Sequence, residues 1–212
     1  MKLTAPLRKV AQMVMPRPDD IVGRMLRAQF PKEVDFNLQR AGVNAGGLLI
    51  GTIETTAQAT VQTIQFLLKR PELLLQAQKA ASLDDPAQFD AFVWEVLRFV
   101  PISPYMFRQT ASEYTFANGT VIPPGTNVLA LTQSAMFDPR AFDHPEEFKP
   151  GRNWYRYFTF GYGAHECLGK YVGMVMIPEI VRQILLQPNL EAAADIVYDG
   201  HMPKSYAISW TA

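Results

Sequence analysis

Between Pro31 and Pro71 this 212-residue chain, which holds 16 prolines, carries none. From about Asp35 to Arg70, DFNLQRAGVNAGGLLIGTIETTAQATVQTIQFLLKR, the periodicity predicts one long helix, with Asp35 as its N-cap and Pro71 opening the next. Its length makes it the central helix of the fold. A rotation of about 100° per residue places Asn44, Gly47, Gly51, Glu54, Thr55 and Gln58 on one side, and Leu49, Ile53, Ala57, Ile64 and Leu67 on the other. The second stripe reads as core. The first spends glycine inside a helix, at about 1 kcal/mol each, which close packing against another helix explains on its own.

The rest of the chain is read around that helix. LRKVAQMV and DDIVGRMLRAQF predict helices before it, and PELLLQAQKAA follows at Pro71. PAQFDAFVWEVLRFV carries Phe89, Phe92, Val93, Val96, Leu97 and Val100 as an amphipathic stripe. Beyond Pro101 the pattern becomes short strands, with Asn118-Gly119 and Pro124-Gly125 as turns, then a long aperiodic loop rich in proline, aromatics and charge. A last helix runs from Cys167 with Pro178 inside it, where a kink is expected. The tail, ADIVYDGHMPKSYAISW, is expected to return two strands.

The length favours one domain over residues 1–212 with a real core. Lys+Arg and Asp+Glu both number 20, so no net field recruits nucleic acid. The N-terminus lacks the unbroken apolar run of a signal peptide and no stretch is long enough for a membrane anchor, so a soluble, cytoplasmic protein is expected.

The chain has a single cysteine, in FGYGAHECLG, Phe160 to Gly169. It can form no internal disulfide, which leaves a buried hydrophobe, a nucleophile or a ligand. Gly161 and Gly163 permit positive φ and close approach to a flat object, and a helix N-terminus beside the sulfur favours its anionic form. A nucleophile wants a histidine base, yet a histidine at i−2, as His165 is, normally points elsewhere, and nothing marks His144 or His201 as a base. Zinc wants three or four ligands. Haem needs one proximal ligand, and thiolate is a known choice.

Phe160, Gly163, Cys167 and Gly169 meet F-x-x-G-x-x-x-C-x-G, and the segment resembles the haem-binding loop of the cytochromes P-450. The resemblance implies haem b with Cys167 as the iron ligand, Phe160 packed near the sulfur, Gly161 and Gly163 bringing N–H groups to it, and His165 holding a propionate where most members have arginine. Glu95 and Arg98 in WEVLR match the family's E-x-x-R, and Arg152 in PEEFKPGR stands where the third member of that structural triad is expected. The apolar Trp94 and Phe99 around the pair predict that it is buried and needs further partners. Arg108 falls where members carry a propionate-binding arginine. SAMFDPRAF has Met136 and Phe137 in place of the family's Asn-Arg, and no function is carried over there.

GTIETT aligns with the family's A/G-G-x-D/E-T-T segment on the distal face of the haem, with Gly51, Glu54, Thr55 and Thr56 matching and Thr52 replacing a glycine. By resemblance Glu54 and Thr55 are the acid–alcohol pair that relays protons there. The implied fold is mainly α with small β-sheets, a reduced or truncated cytochrome P-450-like fold with a long central helix and a proximal cysteine loop. It covers residues 35–212, while 1–34 form a helical segment of uncertain correspondence.

The implied activity is a haem-thiolate monooxygenase, or a peroxygenase or hydroperoxide isomerase, acting on an apolar, fatty-acid-like molecule with a redox partner or a peroxide. DDIVGRMLRAQ and VYDGHMP more loosely resemble P-450 modules that in bacteria accompany haem-peroxidase domains and act on oxidised lipids. The matched part is about half a complete member. Self-association or a partner protein covering exposed apolar surface is therefore expected; the competing reading is a haem-binding sensor or carrier, or an inactive half-fold.

Overall fold

A computed structural model describes residues 19–153 and 156–211, so the expected helix LRKVAQMV lies outside the described residues. The chain divides into two compact units, the first ending at Ile53 and the second beginning at Glu54.

In the first unit helix α1, Ile21–Arg27, starts at Asp20, whose carboxylate accepts from the Gly23 N–H at 2.6 Å. A 3₁₀ turn, Lys32–Val34, follows. Helix α2 runs Leu38–Leu68 and continues into the second unit. Its cap is not Asp35, which takes a left-handed conformation (φ 45°) to close the 3₁₀ turn. Asn37 fills that role, its Oδ1 accepting from the Arg40 N–H at 3.1 Å. Both residues are good caps, and the preceding 3₁₀ turn decides between them by taking Asp35.

In the second unit, helices α3 (Pro71–Ala81) and α4 (Pro86–Phe99) each have proline in the first turn, where its missing N–H costs nothing. Asp85 caps α4 by accepting from the Ala87 N–H at 3.0 Å. Helix α6, Lys170–Leu185, packs against both α3 and α4. The Arg182 guanidinium donates to the Ala81 carbonyl at 2.8 Å, placing a cation on the C-terminus of α3. Ile64, Leu67, Ala77, Ala81, Phe89, Val93, Leu97, Val181 and Leu185 form the core between these helices. Leu49, Ile53 and Ala57, expected in the core stripe of the long helix, are exposed; after the isolated buried Ala41, continuous burial on this helix starts at Gln58 and Ala59.

Strands β1 (Met106–Gln109) and β4 (Asn127–Ala130) pair antiparallel with Met106 opposite Ala130, and β2 (Tyr114–Thr115) pairs with β3 (Val121–Ile122). A four-residue helix α5, Thr132–Ala135, precedes the long loop. That loop is no mere connector, since Met136, Phe142 and Tyr157 are core residues. Ahead of the tail comes β5 (Glu191–Ala192), and the tail itself, residues 194–210, forms three short strands rather than two: β6 (Val197–Asp199), β7 (Met202–Ser205) and β8 (Ile208–Ser209), paired β5 with β8 and β6 with β7. Residues 191–192 and 208–209 are too short to register as strands by alternation. The chain is thus mainly helical with small sheets.

The half-buried Asp90 on α4 stands out energetically. Burial, with the neighbouring Glu179 and Asp85 carboxylates, pushes its carboxyl up to about 6. A raised folded-state value means that ionising Asp90 opposes folding: stability falls as pH rises from the ordinary aspartate range, ~3.9, through about 6. Asp90→Asn is expected to stabilise the protein above pH ~6 by on the order of 1 kcal/mol, discounted for partial solvent screening. In urea unfolding that gain disappears below pH ~4.

Candidate haem-thiolate site

The site rests on α4. Arg98 is fully buried and all five of its N–H groups are used. Nε and Nη2 donate to the Glu95 carboxylate at 3.1 and 2.8 Å, Nη1 to the Met136 and Pro145 carbonyls at 3.0 and 2.7 Å, and Nη2 again to the Glu147 carbonyl at 3.1 Å. The Phe99 and Phe137 rings lie 4.5 and 4.7 Å from the guanidinium carbon. Glu95, equally buried, also accepts from Arg152 Nε at 3.3 Å, the Lys149 N–H at 3.0 Å and the Tyr157 hydroxyl at 2.5 Å. Arg152 donates further to the carbonyls of Asp143, His144 and Glu147.

Burial works against the Glu95 charge, but the hydrogen bonds from Arg98, Tyr157 and Lys149 outweigh it and hold the carboxyl below the usual glutamate range. The same pairing, added to burial, pushes the Tyr157 phenol up. The sequence offered no signal for Tyr157 or for the Lys149 N–H, because both lie in the aperiodic loop.

This network seats the loop that carries Cys167. Tyr157 hooks onto Glu95, and three residues later Phe160 places its ring edge-on to Trp94, the neighbour of Glu95, with centroids 5.7 Å apart. The Phe160 carbonyl then accepts the Cys167 N–H at 2.8 Å, closing the loop. Gly161 (φ 73°) and Gly163 (φ 69°) both need the left-handed region, and a side chain on Gly161 would stand 3.3 Å from the His165 carbonyl. Gly173, not singled out from the sequence, allows another close approach: a Cβ there would lie 3.1 Å from the Phe160 ring.

Helix α6 starts at Lys170, so Cys167 precedes the helix by a turn of chain instead of beginning it. The helix continues through Pro178, whose ring is buried.

Cys167 is a free, exposed thiol. A Cβ on Gly169 would lie 3.8 Å from its sulfur, an ordinary contact distance. Tyr162, Leu168, Tyr171 and Val172, all along the same segment, are exposed apolar side chains. One accessible sulfur, no second thiol and an apolar surround suit a flat apolar group bound through a single axial ligand.

The other expected residues stand as follows. His165 ends a 3₁₀ turn, Gly163–His165, and is exposed. Arg108 is exposed on β1, its guanidinium donating to the Phe107 carbonyl at 2.8 Å. Glu54 and Thr55 are consecutive exposed residues on α2, and Gly51 lies on the same helix before the unit boundary. Glu95, Arg98 and Arg152 are brought together by direct hydrogen bonds.

A family model for cytochrome P450 matches residues 8–195. The chain belongs to the cytochrome P450 family. It is similar to cytochrome P450-SU2 of Streptomyces griseolus, 29% identical over 212 aligned positions that take in 96% of this chain and 50% of the relative. It is 34% identical to nocardicin C N-oxygenase of Nocardia uniformis subsp. tsuyamanensis, over 64% of this chain and 32% of that enzyme.

Among solved structures, P450BioI in complex with an acyl carrier protein ligated to hexadec-9Z-enoic acid superposes with a TM-score of 0.79 at 22% identity, covering 97% of this chain and 51% of that one. The Tepidiphilus thermophilus P450 haem domain gives 0.77 at 24% identity, over 97% and 48%. The fold is therefore that of a cytochrome P450, and the chain spans half the length, or less, of the curated relatives it matches. Membership implies a haem iron cofactor. No helix among the described residues is long and apolar enough to cross a membrane.

Two outcomes follow from the buried network. Arg98→Met leaves the buried Glu95 charge with only the longer Arg152 contact as counter-cation and is expected to cost ~3 kcal/mol in urea unfolding. Because the Glu95 carboxyl is held low in the folded state, its contribution is complete above the ordinary glutamate value of ~4.3 and is lost as pH falls through the folded value. Glu95→Gln, although destabilising at neutral pH, should flatten that acid limb.

Proposed function

We propose that the chain holds haem b through Cys167 and works as a haem-thiolate oxidoreductase, inserting oxygen into an apolar, fatty-acid-like substrate or oxidising or rearranging it with a peroxide. The observation that carries the proposal is the anchored loop: an exposed sulfur closed onto Phe160 and seated through Tyr157 and Trp94 on the buried Glu95–Arg98 pair. When bound, haem supplies the redox-active iron at which dioxygen or a peroxide is activated.

The chain's own part is to position, shield and donate protons. Cys167 Sγ would be the iron's donor, carried on a loop that the Phe160 carbonyl closes by accepting the Cys167 N–H. His165 and Arg108 are the residues assigned to the propionates; both side chains are exposed, where an anion can reach them. On α2 the Glu54 carboxyl takes a proton from solvent and the Thr55 hydroxyl passes one on, the division of labour that a carboxylate and an alcohol side by side allow. The acyl chain carried in the P450BioI complex is of the substrate class proposed here.

A second reading has its own support. Leu49, Ile50 and Ile53 on α2 are each more than 60% exposed, and the chain covers half of P450-SU2. A haem-binding sensor or carrier, or a half-fold that a second copy or another protein completes, accounts for that apolar surface. Thr55→Ala separates the readings. With peroxide or a donor system, the enzyme reading expects at least a several-fold change in product formed per oxidant consumed, without loss of haem; no substrate oxidation under any oxidant favours the binder. Light scattering is expected to show association, and a monodisperse monomer would count against a covering partner copy.

A further inference from the structure

On α2, Thr56, Thr60 and Thr63 are spaced by four and three residues and share one face of the helix. Their burial deepens along the row: Thr56 is half-buried, Thr60 is 6% exposed and Thr63 is 0% exposed. The row thus leads from beside Thr55 into the core, where Ala59, Ile64 and Leu67 are packed. The Thr60 and Thr63 hydroxyl oxygens are inaccessible and have no hydrogen-bond partner among the described residues.

That arrangement needs explaining. A threonine inside a helix ordinarily satisfies its hydroxyl by bonding back to the carbonyl one turn earlier, and neither Thr60 nor Thr63 does so. Buried hydroxyls are otherwise satisfied by side chains or by internal water. The helical rise of about 1.5 Å per residue sets the successive threonines ~4.5–6 Å apart along the axis. Two hydrogen bonds of ~2.8 Å through one water span a comparable distance. Each hydroxyl is both donor and acceptor, so neighbouring hydroxyls can share a water from opposite sides.

We infer that Thr60 and Thr63 form an internal water-binding site, entered past Thr56, on the threonine face of α2. The ligand is water, held between the hydroxyls on the buried stretch of the helix, and the site stands whether or not Cys167 binds haem.

Water oxygen-17 relaxation dispersion on the full chain counts long-lived internal waters. The Thr60→Val/Thr63→Val double variant keeps the side-chain shape and removes both hydroxyls; it is expected to lose at least one such water and to melt lower than wild type. Thr60→Ser/Thr63→Ser, which keeps the hydroxyls, should retain the water. An unchanged water count in the valine variant overturns the site. So does a rise in Tm, which marks the hydroxyls as dry. If the valine pair does not fold, a crystal structure of the wild-type chain decides: an ordered water within hydrogen-bonding distance of Thr60 and Thr63 is expected, and unhydrated hydroxyls contradict the proposal.

Discussion

The buried Arg98–Glu95 pair is the interaction on which the second unit depends. Removing two charges from water is costly, and the pair is tolerable only because every guanidinium N–H is bonded and both carboxylate oxygens are shared among several donors. Those partners come from Met136, Pro145, Glu147, Lys149, Arg152 and Tyr157, so satisfying one ion pair fixes the path of a loop that has no regular structure to fix it. Helix α4 supplies both ends of the arrangement: Glu95 holds Tyr157, and Trp94 beside it receives Phe160. The loop that presents Cys167 then leaves from a fixed base.

Much of this was legible because it is periodic or punctuated. The stripe from Phe89 to Val100 predicted α4 and its buried face, and Pro71 and Pro86 mark true helix starts. Glycine, phenylalanine and cysteine at fixed spacing identified the loop, since positive φ and close approach restrict those positions to glycine. What escaped was decided by tertiary context. Asp35 and Asn37 are equivalent caps until the 3₁₀ turn commits Asp35 to the left-handed region. Leu49, Ile53 and Ala57 have the periodicity of a core stripe but no burial, because periodicity says which residues share a face and not what meets that face. Tyr157 and the Lys149 N–H find Glu95 across more than fifty residues of chain, a pairing that no local pattern encodes.

The two sides of the expected site differ in physical character. Around Cys167 the second unit supplies the anchoring, the glycine turns and the aromatic backing from its own residues. Glu54 and Thr55 stand exposed, on a helix whose Leu49, Ile50 and Ile53 just before them are also exposed. An acid and an alcohol in open solvent are poor at selective proton delivery, since water competes for both. The proposed haem binding and the proposed chemistry are therefore separable, and the first rests on the better-anchored residues.

The claim that the loop is a haem-thiolate site is tested most directly by one spectrum. Purified protein, reconstituted with haem, reduced and exposed to carbon monoxide, is predicted to show the red-shifted Soret band of a thiolate-ligated iron, and Cys167→Ala to lose it. Failure to take up haem, or an identical spectrum from the Cys167→Ala protein, would contradict the account.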